Sequence, residues 1–524
     1  MSAPAGRKLV LVVIDSLRTD MLESAAASGA APTLAKLLER GELVGDCVSS
    51  FPSVTPVCTS EITTGARPDQ HRIPGMNWYH RVEQRYVEYG SSFEATRTFG
   101  LINALYDTVY NMNMGHLSDE VETVFERLGD AGLRTACTPF LIYRGRTRHT
   151  VVLDGLLKRA VDLAGFSHAV YGPDELYYGE LYASRKVACK PTLARPNTRD
   201  EYSACVGDQL VREDLYDFLL YSLPDNDFHS HRYGPLETEE SIARADAAIT
   251  TLADAAGGLD SFLLENAVIV MADHSQSQVE ETLDAAALLG ERWEVLQPNA
   301  DRPGDAELAF GPSGRGGGVW IIREGKRARQ LHHGVRKVLR EIEAIDLIAW
   351  RAGEGGKPID RDGIGTPEGG EAVIERNGGE LRFRPGGAVV DRRGVGWDID
   401  GDLATIDARL EDGVIADDAY PDALARVFSA LGSPYAADVM VSLADGWELL
   451  DWGGASHVPG GSHGSLHADD SLSPLLTVAL DHEPPGRDRW AISDVASIIY
   501  GHFGLDDADW DGAPDEKGER AKPR

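Results

Sequence analysis

At 524 residues, 42% of them hydrophobic, the chain is long enough for roughly two to four average domains or for one large α/β enzyme with insertions, and it can bury a sizeable core. Its 84 acidic against 51 basic residues give a formal net charge of −33, a field that repels polyanions and argues against bulk nucleic-acid or anionic-membrane binding. The 5 cysteines are odd in number and lack a C-x-x-C spacing, so they suggest neither a disulfide framework nor a thiolate zinc site, which fits a reducing, cytoplasmic setting.

The first predicted element is the apolar run at 9–14 (LVLVVI), a buried parallel strand whose carboxyl end delivers Asp15. The run is short, meets an aspartate at once and has no small-residue cleavage site, so it is not read as a signal peptide. No segment reaches the length of a membrane span. A helix at 33–39 behind Pro32 and a strand at 42–50 complete a βαβ pattern. Asp119 and Glu122 have the spacing of a capping box opening EVETVFERLGDAG, and 133–143 reads as one or two strands. Residues 145–215 are assigned to a lobe over the site. A helix at 238–255 precedes a strand at 267–272 that presents Asp273 and His274. From 353 to 394 the composition turns loop-like and then β-rich, with Asn377-Gly378-Gly379 and Pro385-Gly386-Gly387 as turns. A helix at 421–431, a strand at 473–480 and a helix at 490–503 follow. The expected organisation is a catalytic core over 1–350 including the lobe, a β-rich insert over 351–420, a return to the core over 421–505 and a disordered tail over 506–524.

Four segments carry chemistry. In FPSVTPVCTSEITTG at 51–65, Thr55 stands before a helix from about Pro56, where backbone N–H groups and the positive dipole end favour a phosphate. Thr55 is the candidate nucleophile, and a simple N-cap role is compatible with it. PDNDFHSHRYGP holds Asp227 and His231 in D-x-x-x-H spacing, which in a loop can wrap a carboxylate and an imidazole around one cation, with His229 as a competitor. Asp273-His274 closes a strand, and His463 lies in a glycine-flanked loop with His467 competing. Separately, Arg144, Arg146 and Arg148 in YRGRTRHT are candidates for binding an anionic group of a substrate, or else a strand face making salt bridges.

The segments VVIDSLRTDML, FPSVTPVCTSEITTG, D-x-x-x-H-x-Y-G-P at 227–235, ADHS at 272–275 and GSHGSL at 461–466 together resemble the alkaline phosphatase superfamily, and within it the nucleotide pyrophosphatase/phosphodiesterase branch. The resemblance implies an α/β fold with an alkaline-phosphatase-like three-layer core, its central sheet mostly parallel between helices, plus the lobe and the β-rich insert. It implies a metal-dependent phosphoric-ester hydrolase, foremost a phosphodiesterase, acting through a phosphothreonine on a two-metal centre. Asp227, His231 and His463 would hold one zinc, and Asp15, Asp273, His274 and the Thr55 oxygen the other, with manganese or magnesium as alternatives. The branch has an Asn after the nucleophile that contacts a non-bridging phosphate oxygen, and Asn77 in HRIPGMNWYH is its nearest counterpart. Pro56 stands where many relatives carry an aromatic residue that stacks on a nucleobase. The sulfatase C-x-P-x-R signature is absent, because Cys58 is followed by Thr59-Ser60-Glu61.

The implied partner is a small-molecule phosphate ester or diester, with the oligomeric state left open. The alternatives are a phosphomonoesterase or phosphonate hydrolase of the same superfamily, and, from a different class, a non-catalytic metal-stabilised binding protein. The full ligand set with its nucleophile argues against the last.

Overall fold

Alternate side chains of the Lys8–Ile14 strand enter two separate cores, as a continuous apolar run must when both faces of its sheet are covered. Val10, Val12 and Ile14 pack with the helix residues Leu22, Leu34, Ile242 and Leu252. Leu9, Leu11 and Val13 pack with Ile62, Phe125, Val495 and Ile499 on the other side. The computed structural model describes residues 6–151, 168–179, 181–189, 198–300, 302–353 and 370–505. In it this strand lies inside an eight-stranded sheet, in the order 42–48, 472–478, 266–271, 8–14, 218–223, 135–137, 175–178 and 182–183. The five strands from Asn266–Met271 to Glu175–Tyr178 are parallel, and Leu472–Val478 is antiparallel to both of its neighbours. Helices on either face make the expected three-layer core.

Parallel strands bring their carboxyl ends to one edge, where ligands of open α/β sheets gather. Lys8–Ile14 ends at Asp15, Phe218–Leu223 runs through Pro224 into the Asp225–Tyr233 helix, and Asn266–Met271 leads to Asp273 and His274. A small three-stranded sheet then pairs Ser277–Leu283 with Gly460–Ser462, Ser277 opposite Ser462, and so draws the His463 loop to Asp273 and His274.

Several elements differ from expectation. The Glu42–Val48 strand is separated from Lys8–Ile14 by two others, so the two helices between them form a long crossover rather than an adjacent βαβ unit. The capping box sits at Thr123, not Asp119. The Thr123 hydroxyl accepts the Glu126 N–H (3.2 Å) and the Glu126 carboxylate accepts the Thr123 N–H (3.0 Å), opening a helix at Val124–Asp130. Both T-x-x-E and D-x-x-E fit the pattern, and burial of Val124, Phe125 and Leu128 selects the first. In the stretch 145–215, Glu175–Tyr178 belongs to the main sheet and Val206 and Leu210 of the Arg199–Arg212 helix enter its core, so the described part contributes to the core itself.

The β-rich segment joins a nine-stranded sheet. Its strands Glu371–Arg376 and Gly379–Val390 continue from Leu308–Ser313, Gly316–Ile321, Val439–Leu443 and Ile345–Ala352. Asn377-Gly378 forms a two-residue hairpin loop, with φ of 51° and 77° as a type I′ turn requires. Pro385-Gly386-Gly387 is not a turn. It is a bulge inside Gly379–Val390, where pairing with Gly396–Gly401 shifts between Pro385 and Val389. Glycine is needed there because a Cβ at Gly387 would lie 1.9 Å from the Trp397 carbonyl oxygen.

Contrary to the reading of the cysteines, Cys189 and Cys205 form a disulfide, while Cys47, Cys58 and Cys137 are buried and free. An odd count concealed one pair, which chain spacing cannot show. This removes the ground for a cytoplasmic setting. No helix among the described residues is long and apolar enough to cross a membrane. The tail at 506–524 lies outside the described residues.

Candidate metal centre

The candidate ligands sit at or near the ends of regular elements. Asp15 directly follows its strand, with its N–H on the Leu223 carbonyl at 3.2 Å. Thr55 is the first residue of the Thr55–Thr64 helix, and Val54, not Thr55, takes the cap position. The hydroxyl is therefore not spent on the helix end, and Oγ1 lies 3.2 Å from His274 Nε2. Asp227 and His231 stand one turn apart on the Asp225–Tyr233 helix rather than in the predicted loop, with Oδ1 and Nε2 3.3 Å apart. Asp225 and Asp227 fall in the first turn of that helix, where the dipole favours acidic residues.

All seven residues converge. Asp15, Asp273 and His274 form one group and Asp227, His274 and His463 another, and within each group the ligand atoms lie within 4.8 Å of one another. His274 Nε2 is 3.4 Å from Asp273 Oδ2 and 3.9 Å from Asp15 Oδ1, and His463 Nε2 is 3.8 Å from Asp227 Oδ1. The His274 and His463 rings stack with centroids 3.8 Å apart.

Each imidazole turns Nδ1 to a backbone carbonyl: His231 to Gly461 (2.7 Å), His463 to Ser53 (2.7 Å) and His274 to Ser275 (3.2 Å). A carbonyl only accepts, so the proton sits on Nδ1 and the Nε2 lone pair faces the carboxylates. Metal-ligating histidines are oriented in this way.

Burial is the largest influence on every shifted group here. It raises Asp15 well above the usual carboxyl range, helped by Asp273 and Asp227. At Asp227 burial is outweighed by His231, His463 and His274, which hold the carboxyl below that range. Burial lowers His231 to about 4 against the pull of Asp227. It takes His463 well below 6.5, where His274 and His231 add to it. The neutral His231 and His463 imidazoles thus face crowded carboxylates, and Asp15 Oδ1 and Asp273 Oδ2 are buried without a hydrogen-bond partner. Such atoms cost roughly 1–3 kcal/mol or more each unless a donor or cation meets them. Oxygen and imidazole donors without a thiolate fit zinc, manganese or magnesium.

The competing histidines lie elsewhere. His229 Nε2 contacts the Glu237 carbonyl (2.9 Å) and its ring packs on Tyr233. His467 precedes the Ala468–Ser471 helix and packs edge-on against Tyr420. Asn77 is buried at the start of the Asn77–His80 strand, its amide donating to Ser91 Oγ (3.2 Å). That strand begins beside Ser313, and the next residue but one, Arg315, donates its backbone N–H to the His463 carbonyl (2.6 Å).

The arginine run has other partners than a substrate. Arg144 is buried, donating to the carbonyls of Leu117, Ser118 and Val121 and to Glu126. Arg146 pairs with Glu122, Glu126 and Asp130, and Arg148 is exposed on the Thr147–His149 strand. For Arg144 and Arg146 the substrate-binding reading is corrected to structural pairing. A deep guanidinium among helix-end carbonyls is a stable resting place that sequence spacing does not reveal.

Three neighbours of the ligands lie outside the candidate ligand set. Ser16 and Gln276 hydrogen-bond Asp227. His457 stacks on His231 at 3.9 Å and pairs with Glu448 (2.9 Å). A second histidine six residues before His463 could have marked His457, whereas nothing in a serine or glutamine marks the other two.

Residues 9–342 match the model of the family described as Type I phosphodiesterase / nucleotide pyrophosphatase, a span that ends before His463. None of the curated proteins matches the chain in sequence. Among solved structures, the phosphonoacetate hydrolase of Sinorhizobium meliloti 1021 in complex with phosphonoformate is 16% identical over 96% of both chains, with a TM-score of 0.51. The same enzyme with phosphonoacetate is 15% identical over the same shares, also at 0.51. Murine ectonucleotide pyrophosphatase/phosphodiesterase 5 is 12% identical over 95% of this chain and 96% of its own, at 0.52. These likenesses show the fold, which is the alkaline-phosphatase-like α/β core.

Proposed function

The chain belongs to the type I phosphodiesterase/nucleotide pyrophosphatase family, a family of hydrolases in the alkaline phosphatase superfamily, and we propose that it cleaves phosphoric diesters through a covalent phosphothreonine on Thr55 at a centre of two divalent ions. The observation that carries this is the convergence on the Thr55 hydroxyl of three carboxylates and three imidazoles, each with Nδ1 turned to a backbone carbonyl. Asp227, His231 and His463 would hold one ion, and Asp15, Asp273, His274 and Thr55 Oγ1 the other, zinc foremost, with manganese or magnesium as alternatives. When bound, the ions supply Lewis-acid charge that lowers the pKa of the threonine hydroxyl and of water and neutralises oxygens at phosphorus.

Thr55 Oγ1 gives up its proton to solvent and attacks phosphorus in line, its O–P bond forming as the bond to the leaving alkoxide breaks and the alkoxide takes a proton from solvent. Water then displaces the threonine oxygen, releasing the monoester and restoring the hydroxyl. The helix starting at Thr55 presents its positive dipole end to the phosphoryl group throughout. Asn77 would contact a non-bridging oxygen as a neutral donor.

Charge at the site separates diester from monoester. A dianionic monoester asks for strong cationic groups around its oxygens, whereas a monoanionic diester asks for fewer. Among the described residues no arginine side chain donates to any of the seven site residues, Arg199 acts on Asp15 only through its charge, and Arg144 and Arg146 are committed elsewhere. The expected result is a higher kcat/KM for bis(p-nitrophenyl) phosphate than for p-nitrophenyl phosphate at the same pH and metal loading. Phosphonoacetate joins the panel because it is the bound compound in one similar structure. Preference for the monoester, or turnover of phosphonoacetate alone, would reverse the diesterase assignment.

A further inference from the structure

Ser16 holds a conformation that serine adopts only under constraint, and it does so between the two ligand groups. Its φ of 58° lies in the left-handed region, where a Cβ crowds the backbone and glycine or asparagine is the low-energy choice. Such strain persists where surrounding contacts over-determine it. Ser16 is 2% exposed, and its contacts use the whole hydroxyl. Oγ donates to Asp227 Oδ1 (2.7 Å), accepts from Gln276 Nε2 (3.1 Å) and shares the His274 Nδ1 proton (3.1 Å) with the Ser275 carbonyl. That is one donor and two acceptors, the full capacity of a hydroxyl. The backbone N–H of Ser16 points to Asp273 Oδ1 at 3.3 Å. Gln276 closes the arrangement: its Nε2 also donates to Asp227 Oδ1 (2.5 Å). Its Oε1 accepts from Ser230 Oγ (2.8 Å), on the helix that carries Asp227 and His231.

We propose that Ser16 is a positioning residue whose single hydroxyl fixes His274, assigned above to one ion, against Asp227, assigned to the other, and so sets the spacing of the two metal sites. This rests on the two-metal reading above. A serine that only made the turn after Asp15 would be improved on by glycine, which takes the same φ without strain. A positioning serine would not, because glycine lacks the oxygen that joins the two groups. Ser16→Gly and Ser16→Ala separate strain from contact: both remove Oγ, and only glycine relieves the backbone.

The test measures the melting temperature of the metal-free proteins, and kcat and KM on bis(p-nitrophenyl) phosphate after loading with Mn(II). It also reads the Mn(II) bound per chain and the exchange coupling between the two ions by electron paramagnetic resonance. Ser16→Gly is expected to melt at or above the wild type and Ser16→Ala below it. In both, kcat falls roughly tenfold to a hundredfold with little change in KM, since misplacement of reacting groups by about 1 Å is enough for that. The coupled Mn(II) signal of the wild type weakens or disappears in both. Gln276→Ala, which leaves the turn intact, moves kcat and coupling in the same direction by less. Wild-type kcat and coupling in Ser16→Gly would reduce Ser16 to a turn residue and overturn the proposal, as would an unchanged Gln276→Ala should the serine variants not fold. A wild-type protein that binds fewer than two Mn(II) per chain refutes the two-metal reading itself, an outcome distinct from loss of the Ser16 role alone.

Discussion

Replacing Thr55 by alanine removes one hydroxyl and almost no apolar packing. Because Val54 rather than Thr55 caps the helix, the roughly 1 kcal/mol that a lost N-cap costs should not appear in the stability of Thr55→Ala. The expected outcome is an unchanged melting temperature with kcat on bis(p-nitrophenyl) phosphate down on the order of 10³-fold or more, the scale set by loss of a nucleophile. Retention of near-wild-type turnover would falsify the nucleophile assignment. At this scale the sequence was legible where chemistry is rare: Asp15, Thr55, Asp227, His231, Asp273, His274 and His463 all reach one cluster. It was illegible where the residue type is common. Ser16 and Gln276 look like any polar pair until their backbone and partners are known, and the arginines at 144 and 146 resemble an anion site until their carbonyl and carboxylate partners are seen.

Between residue and molecule, elements carry signals that compete. D-x-x-x-H reads equally as a loop clamp or as one turn of helix. The helix from Asp225 decides it by placing both side chains on one face. The Pro-Gly-Gly turn gave way to a bulge because the neighbouring strand continues past it.

The hairpin of Asn77–His80 and Arg85–Glu88 holds a further consequence, since Asn77 lies opposite Glu88 and donates to Ser91. Glu88 is buried, accepting from the backbone N–H groups of Gly90 (2.8 Å) and Ser91 (2.7 Å) through one oxygen while the other has no partner. Burial, with Asp451 adding to it, pushes its carboxyl up to about 8 from 4.5. Below pH 4.5 the folded and unfolded states both hold the proton, so the group favours neither. Between 4.5 and 8 the unfolded chain releases it while the folded one keeps it, and stability falls by up to about 1.4 kcal/mol per pH unit. Glu88→Gln keeps the accepting oxygen and cannot ionise. Melting curves at several values from pH 5 to pH 8 should show the wild type losing stability relative to Glu88→Gln as pH rises, and parallel behaviour would mean that Glu88 is ionised in the fold.

On the scale of the whole molecule, the site is assembled from residues 15 to 463, and the long segment between them is not set apart. The β-rich stretch was legible as β-rich from its turns, but its attachment was not, because strand pairing across a sheet leaves no mark in local composition. Ile374, Leu381, Phe383 and Trp397 share a core with Phe51, Trp78 and Tyr435 and with Val57 of the Thr55–Thr64 helix. Glu375 extends the link, accepting from Trp350 Nε1 (2.8 Å) and pairing with Arg336 and Arg340. A sheet and core that continue through the stretch should melt with the rest. Calorimetry of the full chain is therefore expected to show one cooperative transition in which residues 371–416 take part.

Removing metal should move that transition as a unit. Ligands that bind only the folded state stabilise it by RT ln(1 + [L]/Kd), about 4 kcal/mol at a thousandfold excess over Kd, and here the ligands come from strand ends and loops far apart in the chain. EDTA should lower the melting temperature without splitting the peak, abolish diester hydrolysis, and accompany the release of about two divalent ions per chain in elemental analysis. A second, metal-insensitive peak would show that the β-rich stretch folds by itself, and a melting temperature indifferent to EDTA in a protein free of divalent ions would remove the metal centre.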